Sequence, residues 1–206
     1  MISPRSYAII LLVPFLLVSC GPPARLKREA VAIAGRATAP SGGVKRKEVQ
    51  QVCWELSRQG LRYSFGSVRP ETGGLDCSGT VHYVLSRVGY RSVPRQSNHQ
   101  YYWVKEYGNM NHESSLTESV LRRLKPGDLL FWSGTYRTGK RWPNISHVMF
   151  YSGRDPKSGT HYMFGGRSGG RRGLNGSEID FFVLRPGESE GRSGKFVGYG
   201  RPPGLR

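Results

Sequence analysis

Three patterns of apolar residues succeed one another along the chain. Residues 8–18 form an apolar run broken only by Pro14. Residues 45–58 and 77–88 place apolar side chains every three or four positions: Val49, Val52, Cys53 and Leu56 in the first, Val81, Val84, Leu85 and Val88 in the second. That spacing predicts two amphipathic helices. Gly60 and Gly89 stop them, and Asp76, a good N-cap residue, starts the second. From residue 128 the period shortens. Segments 128–132, 145–152, 160–165, 178–184 and 196–199 are short, rich in β-branched and aromatic residues, and separated by turn formers, which predicts strands. A polar, Gly-containing middle region lies between the two halves. Helices first and an antiparallel sheet second define an α+β domain.

The apolar run at 8–18 is shorter than the ~20 residues a membrane-spanning helix needs and fits the core of a secretory signal peptide. It ends in Leu17, Val18, Ser19, Cys20 and Gly21, which resembles the lipobox of bacterial lipoproteins. The expected division is a signal peptide over 1–19, a lipidated Cys20 with a basic Pro/Ala/Gly tether over 20–46, and one globular domain over 47–206. Within the tether, residues 30–37 have some helical character, but the surrounding Gly and Pro favour a solvated spacer. There is no internal repeat. A net charge of +17, from 31 Lys and Arg against 14 Asp and Glu, would ordinarily suggest nucleic acid. Export removes that partner and leaves the anionic lipids and polymers of a cell envelope. The expected location is membrane-anchored, facing the periplasm or wall, and Gly21 after Cys20 leans toward the outer membrane.

The candidate chemistry rests on Cys77, in the run Leu75, Asp76, Cys77, Ser78, Gly79, at the predicted start of the second helix. Unpaired N–H groups there favour the thiolate. His147 stands on a predicted strand with Met149 and Tyr151 on its face, Ser146, Val148 and Phe150 on the other. A helix packed on that sheet brings thiol and imidazole together as nucleophile and base. Cys53 falls at a core position of the first helix, and a disulfide to Cys77 is the competing use of both thiols. His82, His99 and His112 suit surface or packing roles. No CxxC or HxxxH spacing is present, so no metal and no cofactor are expected. The Gly-rich stretch 165–176, carrying Arg167, Arg171 and Arg172, lacks a Walker pattern and reads as a flexible basic loop able to grip a substrate carboxylate.

Tyr63, Phe65, Gly66; Asp76, Cys77, Ser78, Gly79; Val93, Pro94, Arg95, Ser97, Gln100; Pro126, Gly127, Asp128, Leu129; and Ser146, His147, Val148, Tyr151, Gly153 follow one another in an order that resembles the NlpC-type cell-wall cysteine peptidases, over about 48–182. The resemblance implies a papain-like α+β fold and hydrolysis of an amide bond in the peptidoglycan stem peptide, D-glutamyl to diaminopimelate. It implies Cys77 as nucleophile, His147 as base, and Tyr63, Asp76, Ser78 and Arg95 as substrate-binding residues, with Tyr63 and the Cys77 N–H polarising the carbonyl. The family's third polar residue falls about a dozen positions after the base. Here His161 lies fourteen residues on and is taken as the candidate, although hairpin symmetry would set Gly165 opposite His147. Two other classes stay open: a non-catalytic peptidoglycan-binding envelope protein, and a thiol amidase or acyltransferase of related architecture. Oligomeric state is not addressed by the sequence.

Overall fold

A computed structural model describes residues 24–191 and 193–206. The signal-like run and Cys20 lie outside the described residues. Helices α1 (Ala24–Ala34) and α2 (Arg46–Ser57) come first, followed by the short strands β1 (Arg62–Tyr63) and β2 (Gly74–Leu75), which pair in parallel. Next come α3 (Cys77–Arg87), α4 (Ser97–Tyr107), β3 (Asn109–His112) and α5 (Glu118–Arg123). The chain ends in β4 (Leu129–Ser133), β5 (His147–Arg154), β6 (His161–Gly166), β7 (Ile179–Leu184) and β8 (Lys195–Arg201). Six strands form one antiparallel sheet in the order β3-β8-β4-β5-β6-β7. This is the α+β architecture that the apolar pattern predicts.

Strand alternation divides the core into two layers. Leu129 and Phe131 of β4, Val148 and Phe150 of β5, and Phe164 of β6 pack with α2, α3 and α4. Leu130, Trp132, Met149, Tyr151 and Met163 turn to the other face, against Leu116, Val120 and Leu121 around α5, with Phe196 and Tyr199 of β8. The largest buried side chains are Trp103 and Trp132. Burying a large apolar side chain contributes ~1.5–3 kcal/mol, so both layers hold the sheet. His147 begins β5 on the Met149 side, and α3 packs against the opposite side of the same strand.

The N-terminal segment departs from expectation. Residues 24–46 are not a solvated tether: α1 packs on α4, and Ala30 and Ala34 are buried in the helical layer. Thr38 bridges Arg91, and Val44 bridges Leu205. Alanine at 30 and 34 is the reason, because its small side chain lets two helices approach closely, a cue that Gly and Pro on either side obscured. The polar middle region also folds, into α4, β3 and α5. Ser97 to Val104 of α4 are all buried, including Asn98, His99 and Gln100, so hydropathy alone hides this helix. Gln100 donates from Nε2 to the carbonyls of Ser78 (2.9 Å) and Pro94 (2.8 Å), which replaces the water it gives up.

Candidate functional site

Asp76 organises the start of α3. Its Oδ1 accepts from the Gly79 N–H at 2.6 Å, and its Oδ2 accepts from the Gly66 N–H at 2.8 Å. Arg95 reaches the same carboxylate with both terminal nitrogens, at 3.0 and 2.6 Å, and donates to Ser78 Oγ at 2.9 Å and to the Ser67 carbonyl at 3.2 Å. One carboxylate thus caps the helix, fixes the preceding loop and neutralises a guanidinium. Gly79 is required by this packing: a Cβ there would lie 2.0 Å from the Ser67 carbonyl oxygen. Asp76, Ser78 and Arg95 are brought together, and in this structure their polar atoms are spent on one another.

Cys77 is the first residue of α3 and is buried. Cys53 is buried in the helical layer, and neither thiol is in a disulfide. Burial pushes the Cys77 thiol up to about 11, and the Asp76 charge adds to that. Three donors act the other way: the backbone N–H groups of Val148 and Ser78, and the Tyr63 hydroxyl. The contact with Val148 places the sulfur against the residue that follows His147 in β5. Burial, with Cys77 and Asp76 close by, raises the Tyr63 hydroxyl, which stays protonated and able to donate.

His147 opens into an adjoining cavity of about 340 Å³ lined by Tyr63, Phe65, Tyr136, Arg167, Arg171 and Glu190. The cavity around Cys77 has about 320 Å³ and shares Tyr63, Phe65 and Tyr136 with it. Phe65 and Tyr136 meet edge to face, 5.9 Å between centroids, at this common wall. The His147 ring lies 5.7 Å from that of Trp132. Burial and the Arg167 charge hold His147 down at about 3. Its Nε2 is buried without a hydrogen-bond partner and stands 3.8 Å from Glu190 Oε2.

The third position is not where the sequence put it. His161 pairs with Arg154 at the far end of β5, seven residues from His147, roughly 20 Å along the strand. Its Nδ1 is 2.7 Å from the Tyr151 hydroxyl, in a separate open cavity with Glu118, Arg122, Arg154 and Arg185. His161 cannot orient His147. The hairpin turns over 155–160, and a bulge between Tyr151 and Gly153 shifts the register. Phe150 pairs with Phe164, so three residues back along β5 and three on from β6 set Arg167 opposite His147. Gly165 is beside Met149 instead.

Arg167 is buried and turned to the connection between β7 and β8. It donates from Nε to Glu190 Oε2 at 3.1 Å and from Nη2 to Glu188 Oε1 at 3.1 Å. Nη2 also lies 3.0 Å from Glu190 Oε1, off hydrogen-bond alignment, which leaves that oxygen buried without a hydrogen bond. The Gly-rich stretch is therefore pinned: Glu178 accepts from the N–H groups of Tyr63 and Gly170, and Asp180 from those of Asn175 and Ser177. Sequence reading missed Glu190. A signal existed, because Glu188 and Glu190 are the only acids after residue 182 in a strongly basic tail. Among the described residues, no group of three or more His, Cys, Asp or Glu is placed to hold a metal ion.

Helices on an antiparallel sheet, with a thiol at a helix start against the strand that carries an imidazole, define an α+β domain of the papain-like class. Residues 60–157, which contain Tyr63, Cys77 and His147, match the model of the NlpC/P60 family. The chain is also similar to the gamma-DL-glutamyl hydrolase of Bacillus subtilis (strain 168), at 34% identity over 95 residues. That match covers 46% of this chain and 18% of the relative, so the chain spans less than a fifth of the relative's length. Glu190 and Arg167 lie beyond the family match.

Proposed function

We propose that this domain is a cysteine peptidase that hydrolyses an amide bond in the stem peptide of peptidoglycan, most specifically the D-glutamyl to diaminopimelate bond. The observation that carries the reading is the placement of the Cys77 sulfur against the Val148 N–H and the Tyr63 hydroxyl, one residue from His147. The match to the NlpC/P60 family model and the similarity to a gamma-DL-glutamyl hydrolase support the substrate class.

The residues divide the work as follows. His147 takes the proton from Cys77 Sγ as sulfur attacks the carbonyl carbon. The Cys77 N–H, in the first turn of α3 and without an intrahelical acceptor, faces the developing oxyanion. The Tyr63 hydroxyl, released from sulfur as the C–S bond forms, is the second donor. Collapse of the tetrahedral species breaks the C–N bond, and imidazolium gives its proton to the leaving amine. Water, deprotonated by His147, then cleaves the thioester and restores the thiol. Anchoring through a lipidated Cys20, and placement in the cell envelope, belong to the same proposal and rest on the sequence of residues 8–21.

Mass spectrometry of purified muropeptides incubated with the protein tests this. New fragments that name the cut bond are expected from wild type and not from a folded Cys77→Ala variant. Equal fragments from both, or none from reduced wild type, would overturn the peptidase reading in favour of binding. Acyl transfer to non-peptide acceptors would assign the chemistry to the acyltransferase class.

A further inference from the structure

On the β5–β6 register, the position facing His147 is occupied by Arg167, and a guanidinium has no acceptor with which to hold the N–H of a neutral imidazole. The ring nonetheless has a buried nitrogen, Nε2, with no partner. The polar group it faces is Glu190 Oε2 at 3.8 Å, and that carboxyl carries its own unpaired buried oxygen, Oε1. Unpaired buried polar atoms are rare because each costs about 1–3 kcal/mol. Here the two are a donor site and an acceptor group set face to face, 3.8 Å apart, with the nearer oxygen held by Arg167 Nε.

The surroundings are built for this contact. Arg167 holds both Glu190 oxygens, Oε2 at 3.1 Å and Oε1 at 3.0 Å. Trp132 packs on the imidazole and donates from its Nε1 to the Glu188 carbonyl at 3.4 Å, tying the same loop to the sheet. Gly191 brings that loop close to the end of β4: a Cβ there would meet the Thr135 carbonyl oxygen, and Gly194 closes the turn on the Glu190 carbonyl. Glu188 alone could neutralise Arg167, so charge balance does not account for the second, more deeply buried acid.

We infer that Glu190 is the positioning residue of His147: its carboxyl receives the Nε2 proton of the imidazole and so fixes the tautomer that leaves Nδ1 free to take the thiol proton. Arg167 aims the carboxyl from the position facing His147. This inference rests on the cysteine-peptidase reading for its catalytic consequence, but not for the tautomer. The charged groups around the pair are Arg167, Glu188 and Arg171, and each enters its pH response.

The experiment is ¹⁵N NMR of the histidine side chains in wild type and Glu190→Gln, alongside kcat, KM and the pH profile of muropeptide cleavage. Wild type is expected to carry the neutral-ring proton on Nε2. Glu190→Gln, whose amide can also donate to the ring, should mix the tautomers, lower kcat at least ~10-fold with KM within about twofold, and shift the acid limb. Glu190→Asp should restore part of the rate. A wild-type proton on Nδ1, or a Glu190→Gln with unchanged kcat, pH limb and ring shifts, overturns the inference. If Glu190→Gln fails to fold, the wild-type spectrum still decides. Cleavage surviving in Cys77→Ala would sink the peptidase reading and leave the tautomer result standing.

Discussion

A thiol in the first turn of a helix is ordinarily acidified by the free N–H groups around it, yet Cys77 sits near 11. Burial and the Asp76 carboxylate outweigh the Val148, Ser78 and Tyr63 donors. With His147 near 3, thiol and imidazole are both neutral at pH 7 in the resting site. In the proposed reaction, proton transfer therefore accompanies attack and is not stored as an ion pair. Tyr63→Phe removes a donor to sulfur, so the thiol should climb by a further half to one unit, about 1 kcal/mol. Iodoacetamide alkylation of Cys77 against pH measures this: the variant's curve should lie to the alkaline side of wild type, and a shift to lower pH would contradict the Tyr63 contact. Cys77 and Asp76 were legible because a lone thiol after an N-cap residue is a local signal, while Tyr63, and the weight given to His147, came from the resemblance of the ordered blocks. Glu190 was not, since its partner is 43 positions away in the chain and meets it only across the sheet end.

At the scale of elements, the sequence showed what had clean periodicity. Helices α2 and α3 and strands β4 to β8 all appeared where the apolar period called for them, within one residue at each end except that the strand expected over 145–152 runs from His147 to Arg154 and the one expected to end at 199 runs on to Arg201. Helix α4 escaped because its buried side includes Asn98, His99 and Gln100, whose partners are supplied by other segments. Helix α1 was read as a spacer, although Ala34 is 1% exposed in the core. Ala34→Glu puts a charge into that layer and should cost about 2–4 kcal/mol in urea denaturation. A change below ~0.5 kcal/mol would mean that α1 is a tether after all.

Across the whole molecule, two buried groups pull the pH dependence of stability in opposite directions. His147, near 6.5 when unfolded and about 3 when folded, binds more proton in the unfolded chain, so its share of stability is lost as pH falls from 6.5 toward 3. Glu190 is raised by burial from 4.5 to about 7, so the folded state keeps a proton that the unfolded chain releases, and stability is lost as pH rises through that window. Between 4.5 and 6.5 the two offset. His147→Gln removes the first effect alone. Relative to wild type, the variant should gain roughly 1.4 kcal/mol per pH unit on acidification below 6.5. Urea denaturation at pH 4, 5, 6 and 7 checks this, and parallel curves for the two proteins would refute it.

What the sequence determined by itself is what neighbours in the chain decide: the alternation that builds the sheet, the N-cap that starts α3, the thiol in its first turn, and the ordered blocks that carry the family resemblance. Tertiary structure decided everything that depends on register and on distant loops. The turn at 155–160 set His161 against Arg154 at the far end of β5, and the one-residue bulge between Tyr151 and Gly153 set Arg167 opposite the imidazole. The β7–β8 connection then brought Glu190 to within 3.8 Å of the His147 Nε2 that is buried without a hydrogen-bond partner. Such a meeting depends on how strands slide and stack, and no local spacing records it.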